Sequence, residues 1–304
     1  MIYWGINALN HGSSIAVVND NCYKNYTYSS DRLTDEIVND IILEHGSPHR
    51  VYWYERPWLK KCRQLYAGQW AHALDMSVVP SLHLAKCGIT APVTYTPHHA
   101  SHAAAGYYTS PYDECAVIVL DAIGEFESAT IWHGSNNQLK KVWSRSYPNS
   151  LGLFYSAFTH LCGLTPVQDE GKLEKLSAEG DPDQYYDTVK DYIGSDLILT
   201  RNLHRGVQDW PYEIEDEQDI KDIAAAVQLV FEEEIAGIVG LARWFINSDN
   251  LVFMGGCAMN RGARKMIDYA NVWTLSNPGD PSSSIGAVLY HTKHRVYDFK
   301  LKSY

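Results

Sequence analysis

The chain has 304 residues, with 25 Lys+Arg against 36 Asp+Glu, a formal net charge of −11, and 45% hydrophobic and 20% charged residues. That acidic balance excludes a protein that coats nucleic acid by neutralising phosphates, though it leaves room for a local basic groove. The six cysteines (Cys22, Cys62, Cys87, Cys115, Cys162, Cys257) form no C-x-x-C pair, and no apolar run approaches the ~18–20 residues of a membrane span. With a strand-like start at Met1-Ile2-Tyr3-Trp4 and no signal peptide, a soluble cytoplasmic protein with reduced thiols is expected, built as one large domain or two intimate lobes.

In chain order, Ile2–Ala8 reads as a strand, Asn10–Ser14 as a polar turn, Ile15–Val18 as a strand, Asn19–Asn21 as a hairpin turn and Cys22–Tyr28 as a third strand. Helices are expected over Thr34–Glu44 and Trp58–Ala73, then a strand at Val93–Thr96 and a helix start over Ser101–Tyr107. The opening pattern then returns. Cys115–Asp121 is an apolar strand, Ala122–Glu125 a turn, Ser128–His133 a strand, Gly134–Asn137 a hairpin and Leu139–Tyr147 a strand. Leu151–Cys162 and Lys172–Ala178 read as helices, and a polar stretch, Glu179–Asp187, follows. Glu217–Asn247 is the clearest helix, with Ile220, Ile223, Val227, Val230 and Phe231 on one apolar stripe. Leu251–Met254 is a strand running into Gly255-Gly256, with helices over Ala258–Ala270 and Ser282–His291 separated by the loop Ser276–Pro281. Two copies of strand, turn, strand, hairpin, strand predict two related α/β lobes with their polar turns at the mouth of a shared cleft.

Five places could carry chemistry. His98 and His102, in PHHASHAA, stand at i and i+4 on one helical face, which suits one metal ion as well as it suits a polar helix start. Asp121 ends an apolar strand, the position of a metal- or phosphate-handling carboxylate or of a turn-initiating Asp. Asp280 precedes Ser282–Ser284 and reads on its own as a helix N-cap. Asp169-Glu170-Gly171-Lys172 is a polar knot open to a surface ion-pair reading. Gly255-Gly256-Cys257-Ala258-Met259-Asn260 places glycines and a helix start after a strand, where backbone N–H groups can approach a phosphate or nucleotide.

Taken in order, these segments resemble the O-carbamoyltransferase family of nodulation-factor and antibiotic-tailoring enzymes. The matching stretches are GINALNHGSSIAVV (Gly5–Val18), PHHASHAAAG (Pro97–Gly106), VLDAIGEFES (Val119–Ser128), Ser150–Ser177, DIAAAVQ (Asp222–Gln228), NLVFMGGCAMN (Asn250–Asn260) and NPGDPSSSIGA (Asn277–Ala287). The resemblance implies a duplicated actin-like (ASKHA) fold, one domain over residues 1–304 with lobes of about 1–112 and 113–304, lacking the YrdC-like domain that makes carbamoyl adenylate. It implies His98, His102 and Asp280 as metal ligands, with Asp121 close by or completing the shell, for iron or another divalent ion. It assigns Glu170, Lys172, Gly255, Gly256 and Asn260 to the adenosine part of the donor, and Asn10 and His11 to its carbamoyl or phosphate end, with His11 and Asp121 as the catalytic pair. Two departures from the family pattern stand out: Ala122 where a glycine is expected, and Gly12 where an acidic residue is expected.

The expected activity is therefore metal-dependent transfer of a carbamoyl group from carbamoyl phosphate or ATP-derived carbamoyl adenylate to an acceptor hydroxyl. Short relatives in phages are associated with hydroxymethylated cytosine, which inclines the reading toward 5-hydroxymethylcytosine in DNA and a phage-encoded protein acting in host cytoplasm. Lys60-Lys61, Arg63, Lys140-Lys141 and Arg261–Lys265 would supply local basic surface for it, or are ordinary solvated charge. The alternatives are a sugar or antibiotic hydroxyl as acceptor, and a donor-dependent or non-catalytic subunit working with a separate adenylate-forming protein. An actin-like small-molecule kinase is disfavoured by the histidine pair, because such kinases hold Mg²⁺ through phosphates and carboxylates.

Overall fold

The computed structural model describes residues 1–10, 12–19, 22–296 and 301–303. The first sheet contains β1 (Tyr3–Asn10), β2 (Gly12–Asn19), β3 (Cys22–Tyr28), β4 (Arg50–Trp53) and β5 (Val93–Tyr95). Helices α1 (Asp35–His45), α2 (Pro57–Tyr66), α3 (Trp70–Leu74) and α4 (Pro80–Lys86) lie between its strands, and α5 (His98–Thr109) follows β5. The second sheet contains β6 (Cys115–Gly124), β7 (Glu127–Ser135), β8 (Gln138–Ser146), β9 (Asn250–Met254) and β10 (Asn271–Trp273). Around it lie α6 (Leu151–Leu161), α7 (Glu170–Ser177), α8 (Tyr186–Lys190), α9 (Glu217–Phe245) and α10 (Arg261–Lys265); α11 (Asp280–Thr292) and β11 (Leu301–Ser303) follow. Among the described residues no helix is long and apolar enough to cross a membrane.

The strand order of the first sheet, β11-β3-β2-β1-β4-β5, is matched by β8-β7-β6-β9-β10 in the second, apart from the added β11. In each, three strands form an antiparallel meander and the next two add in parallel. A parallel addition requires a crossover, and α1 and α9 occupy those crossovers. Sequence chemistry sets their ends: Thr34 Oγ1 accepts the Ile37 amide, and Asp216 with Asp219 forms a capping box that starts the 29-residue α9.

Two expected helices are shorter than their apolar pattern. The Trp58–Ala73 segment is divided into α2 and α3. In the Ala258–Ala270 segment a 3₁₀ turn over Gly256–Met259 gives way to α10, because Asn260 accepts the Ala263 amide and caps a new start. The expected hairpin at Asn19–Asn21 includes Asp20 and Asn21, which lie outside the described residues.

The chain does not divide at one point. One core lies under the first sheet and includes Ile285, Ala287, Val288 and Leu289; the other joins β6, β7 and β9 to α6 and α9. Thus α11, which follows the whole second sheet in sequence, packs with the first. It does so at very short range: a Cβ on Gly5 would lie 1.8 Å from the Ser284 carbonyl oxygen, and one on Gly286 would lie 1.8 Å from that of Ser101. The fully buried Ala100, Ala103, Ala104 and Ala105 make α5 equally slim. Small residues on both helices bring the start of α11 against the first turn of α5, and that contact creates the site.

Candidate active site

Helix α5 opens with Pro97 at its N-cap, so His98 occupies the first turn and His102 sits one turn on, on the same face. Asp121 comes from β6, and Asp280 begins α11. The N-cap of α11 is Gly279, and Ser282 donates its hydroxyl to the Gly279 carbonyl, so Asp280 is not the cap and its carboxylate is free to turn inward. His98, His102, Asp121 and Asp280 each offer one ligand atom, and the four atoms lie within 4.8 Å of one another.

His98 Nε2 lies 3.1 Å from His102 Nε2, 3.3 Å from Asp121 Oδ2 and 3.5 Å from Asp280 Oδ1. His102 Nε2 lies 3.3 and 3.2 Å from the same two carboxylate oxygens. Donors held about 2.0–2.1 Å from a shared centre in a tetrahedron are separated by about 3.3–3.4 Å. The separations that involve a histidine lie near that edge, and together with the two-nitrogen, two-oxygen chemistry they suit a divalent cation without selecting one.

The electrostatics point the same way. Burial opposes charge on both imidazoles, but the two carboxylates outweigh it, raising His98 and holding His102 at about 9. Burial likewise opposes ionisation of Asp121 and Asp280, yet hydrogen bonding and charge from the histidines hold Asp121 well below the usual carboxylate range and lower Asp280. The two carboxylates thus favour positive charge at this spot, which a dication would supply as well as a proton. The Nδ1 atoms of His98 and His102 have no hydrogen-bond partner, so packing orients the rings. A Cβ on Gly124 would come within 2.4 Å of His98 Cδ2. His99 faces away: burial keeps it neutral, and its Nδ1 pairs with the Thr130 hydroxyl at 2.9 Å.

Asn10 reaches this centre, its Nδ2 lying 3.5 Å from Asp280 Oδ2. His11 lies outside the described residues. Gly12 has φ +68 and gives its amide to Asp31 Oδ1 at 2.8 Å, so the position is held by a conformation in which an acidic side chain would be strained. Ala122 gives its amide to Asp121 Oδ1, and the Ser150 hydroxyl spans the Asp121 and Ala122 carbonyls, which fixes the end of the strand.

Of the remaining expected residues, the two glycines adjoin Asp121, and the others lie further along the second sheet's helices. Gly255 (φ +92) is pressed on β6, where a Cβ would lie 2.1 Å from the Leu120 oxygen, and one on Gly256 would lie 3.0 Å from Asp121 Oδ1. These glycines link Asp121 to Asn260, whose side chain pairs in both directions with Gln228; Gln228 in turn binds Glu232 and accepts from Tyr155. Glu170 accepts from the Ser156 hydroxyl at 2.7 Å and the Val167 amide at 2.5 Å. Lys172 is an exposed cation paired with Asp169.

Three site neighbours carried no signal in their spacing. Tyr54, fully buried after β4, has its ring 5.3 Å from that of His98. Arg56 and Glu125 form a multidentate pair between the segment after β4 and the turn after β6, and Glu125 is 4% exposed with φ +61. Basic residues expected at the surface turn inward: Lys61 donates to the Ala73 and Asp75 carbonyls, Arg63 is buried, and Lys60 pairs with Glu55.

A family model described as carbamoyltransferase N-terminus matches residues 64–289. An uncharacterized Synechocystis protein is 30% identical over 223 residues, covering 65% of this chain and 36% of the relative. Nodulation protein NolO of Bradyrhizobium diazoefficiens is 28% identical over 213 residues, covering 63% and 37%. The chain thus aligns with little more than a third of the length of these curated relatives. Among solved structures, the activator of 2-hydroxyisocaproyl-CoA dehydratase from Clostridium difficile, with bound ADPNP, superposes over 96% of both chains at 12% identity and a TM-score of 0.53. HypF in its phosphate- and nucleotide-bound form covers 96% of this chain and 46% of its own, at 14% identity and a TM-score of 0.51.

Proposed function

Because the chain belongs to the carbamoyltransferase family through its N-terminal domain, we propose that it transfers a carbamoyl group to an acceptor hydroxyl at the centre formed by His98, His102, Asp121 and Asp280. The observation that carries this reading is the convergence of four donor atoms from α5, β6 and α11 within 4.8 Å. These residues would hold a divalent cation, iron or another, which supplies Lewis acidity toward a carbonyl or hydroxyl oxygen. The matched sheets are the two halves of a duplicated actin-like fold in this reading, with the centre where they meet.

The chain's own groups divide the remaining work. Asn10, with its amide beside Asp280, faces the carbamoyl or phosphate end of the donor, a role the family resemblance also gives to His11. Gly255 and Gly256 offer a close backbone approach, and Asn260, Glu170 and Lys172 line the adenosine part of carbamoyl adenylate; carbamoyl phosphate is the alternative donor. The ADPNP and nucleotide named with the two structural neighbours support a nucleotide as part of the donor. The acceptor we favour is 5-hydroxymethylcytosine in DNA, in a phage-encoded cytoplasmic enzyme; a sugar or antibiotic hydroxyl is the alternative. With Lys61 and Arg63 turned inward, DNA would be met through Lys140, Lys141 and the α10 cations.

His102→Ala is expected to reduce bound metal from about one per chain to near zero and transfer by at least about a hundredfold, comparable to or beyond the loss from disturbing a ligand's supporting contacts. Elemental analysis and mass spectrometry of hydroxymethylcytosine DNA, read for a carbamoyl mass gain, check both. Full transfer by a metal-free His98→Ala/His102→Ala protein defeats the reading. Turnover only after adding an adenylate-forming protein would assign donor activation to that partner.

A further inference from the structure

A cavity of about 150 Å³ is lined by residues from the end of β1 (Asn10), the segment after β4 (Glu55), α2 (Lys60 and Lys61), α3 (His72) and the turn after it (Asp75). It adjoins the four donors through two of these residues. Asn10 Nδ2 lies 3.5 Å from Asp280 Oδ2, and Glu55 follows Tyr54, whose ring stands 5.3 Å from that of His98. His72 and Asp75 are exposed, so the cavity opens to solvent. Its walls are fixed by the fold: Glu55 is 5% and Lys61 7% exposed. The Glu55 carboxylate takes the Lys60 ammonium at 2.8 Å, and Lys61 donates to the Ala73 and Asp75 carbonyls at 2.8 and 2.7 Å. Two ammoniums against two carboxylates leave the lining without net charge, so neither a phosphate nor an amine finds an unmatched partner there. These donors and acceptors suit hydroxyl groups, each of which both donates and accepts. Leu9, Pro57 and Val78 complete the lining with apolar contact. The volume holds one six-membered ring, as benzene shows in an apolar cavity of about 150 Å³.

We propose that this cavity is the acceptor subsite, which seats one uncharged, hydroxyl-bearing six-membered ring and presents its hydroxyl past Asn10 to the His98–His102–Asp121–Asp280 centre. This rests on the carbamoyl-transfer reading and adds to it the place and chemical class of the acceptor. A hydroxymethylated pyrimidine and a hexopyranose share that chemistry. In the transfer, the acceptor oxygen bonds to the carbamoyl carbon and its proton passes to solvent. The carbon–oxygen bond to phosphate breaks, and phosphate leaves with the bonding pair. The cavity takes no covalent part; it holds the acceptor oxygen within reach of the carbamoyl carbon.

The test uses the full chain, with 5-hydroxymethyldeoxycytidine and methyl glucoside as the two rings, and reads their binding by calorimetry. At least one should bind the parent. Val78→Phe puts a side-chain ring into the cavity, and His72→Trp narrows its exposed rim, where the fold tolerates a change. Each variant should weaken ring binding by about tenfold or more, as pocket volume does in discriminating ligands. Bound metal and the breakdown of carbamoyl phosphate in water should stay within about twofold of the parent. Binding of the nucleoside alone assigns the subsite to a base, and binding of the glucoside alone assigns it to a sugar. The proposal is overturned, and the carbamoyl reading left intact, if neither ring binds the parent or if His72→Trp and any folded Val78→Phe protein bind as the parent does. Variants that lose ring binding and breakdown together place the cavity in the donor's site and overturn it as well. A parent that binds a ring but carbamoylates it from neither carbamoyl phosphate nor carbamoyl adenylate overturns the carbamoyl reading, and the acceptor role with it.

Discussion

The two sheets share a strand order, yet β7 of the second and β1–β2 of the first differ in how their buried polar groups are satisfied. On β7 of the second sheet, Thr130 takes the Trp132 indole N–H at 2.8 Å and pairs with His99, while the Ser128 hydroxyl bonds two carbonyls. On the first sheet, the Asn7 amide and the Ser13 and Ser14 hydroxyls are fully buried and unpaired. One scaffold thus serves two purposes. On β7 polar side chains complete the core's own hydrogen bonding, whereas on β1 and β2 these buried groups stay unpaired, at a cost in stability.

The largest test of this contrast is the connection between the halves. Arg56→Ala leaves the buried Glu125 carboxylate without its cation and should cost about 3–5 kcal/mol of unfolding free energy in urea. The Arg56→Ala/Glu125→Ala double variant should recover much of that loss. If the single and double variants lose the same amount, the pair is not a strut between the sheets.

Next in size is pH. The folded pKa of His102, about 9, stands above its ordinary value of 6.5, so its contribution is fully present below about pH 6.5 and lost as pH rises to about 9. For this buried group that is on the order of 3 kcal/mol in metal-free protein. Asp121 and Asp280, both lowered, contribute above the ordinary carboxylate range and lose that contribution in acid. Melting of chelator-treated protein should therefore fall between pH 6.5 and 9, and added divalent cation should remove the fall. A flat profile without metal would separate the histidines from the carboxylates.

The two smallest effects compare the sheets directly. Thr130→Val strands the Trp132 and His99 nitrogens and should cost about 1–3 kcal/mol. Asn7→Leu, which removes an unpaired buried amide at similar volume, should cost nothing measurable by thermal melting or raise stability. Equal losses at the two positions would abolish the distinction.

Much of the arrangement was legible along the chain, because its signals are local. The repeated strand grammar shows the matched meanders, and the spacing of His98 and His102 places both on one helical face. Asp121 is readable as the polar residue that closes an apolar run, although β6 continues past it to Gly124, whereas Asp280 read alone suggests a cap that Gly279 in fact provides. Tyr54, Arg56 and Glu125 were not legible, since nothing in their spacing relates the end of β4 to the end of β6. Lys61 and Arg63 misled for the same reason: charge in sequence does not tell which way a side chain turns.

The acidic balance and length of 304 residues excluded a phosphate-coating protein and allowed two lobes, and local periodicity determined the elements and the histidine pair. Only the tertiary structure decided that α11 returns to the first sheet and sets Asp280 against His98 and His102. The physical reason is the close approach of α5 and α11: glycines and alanines record that two backbones can touch, but not which two until the chain has folded.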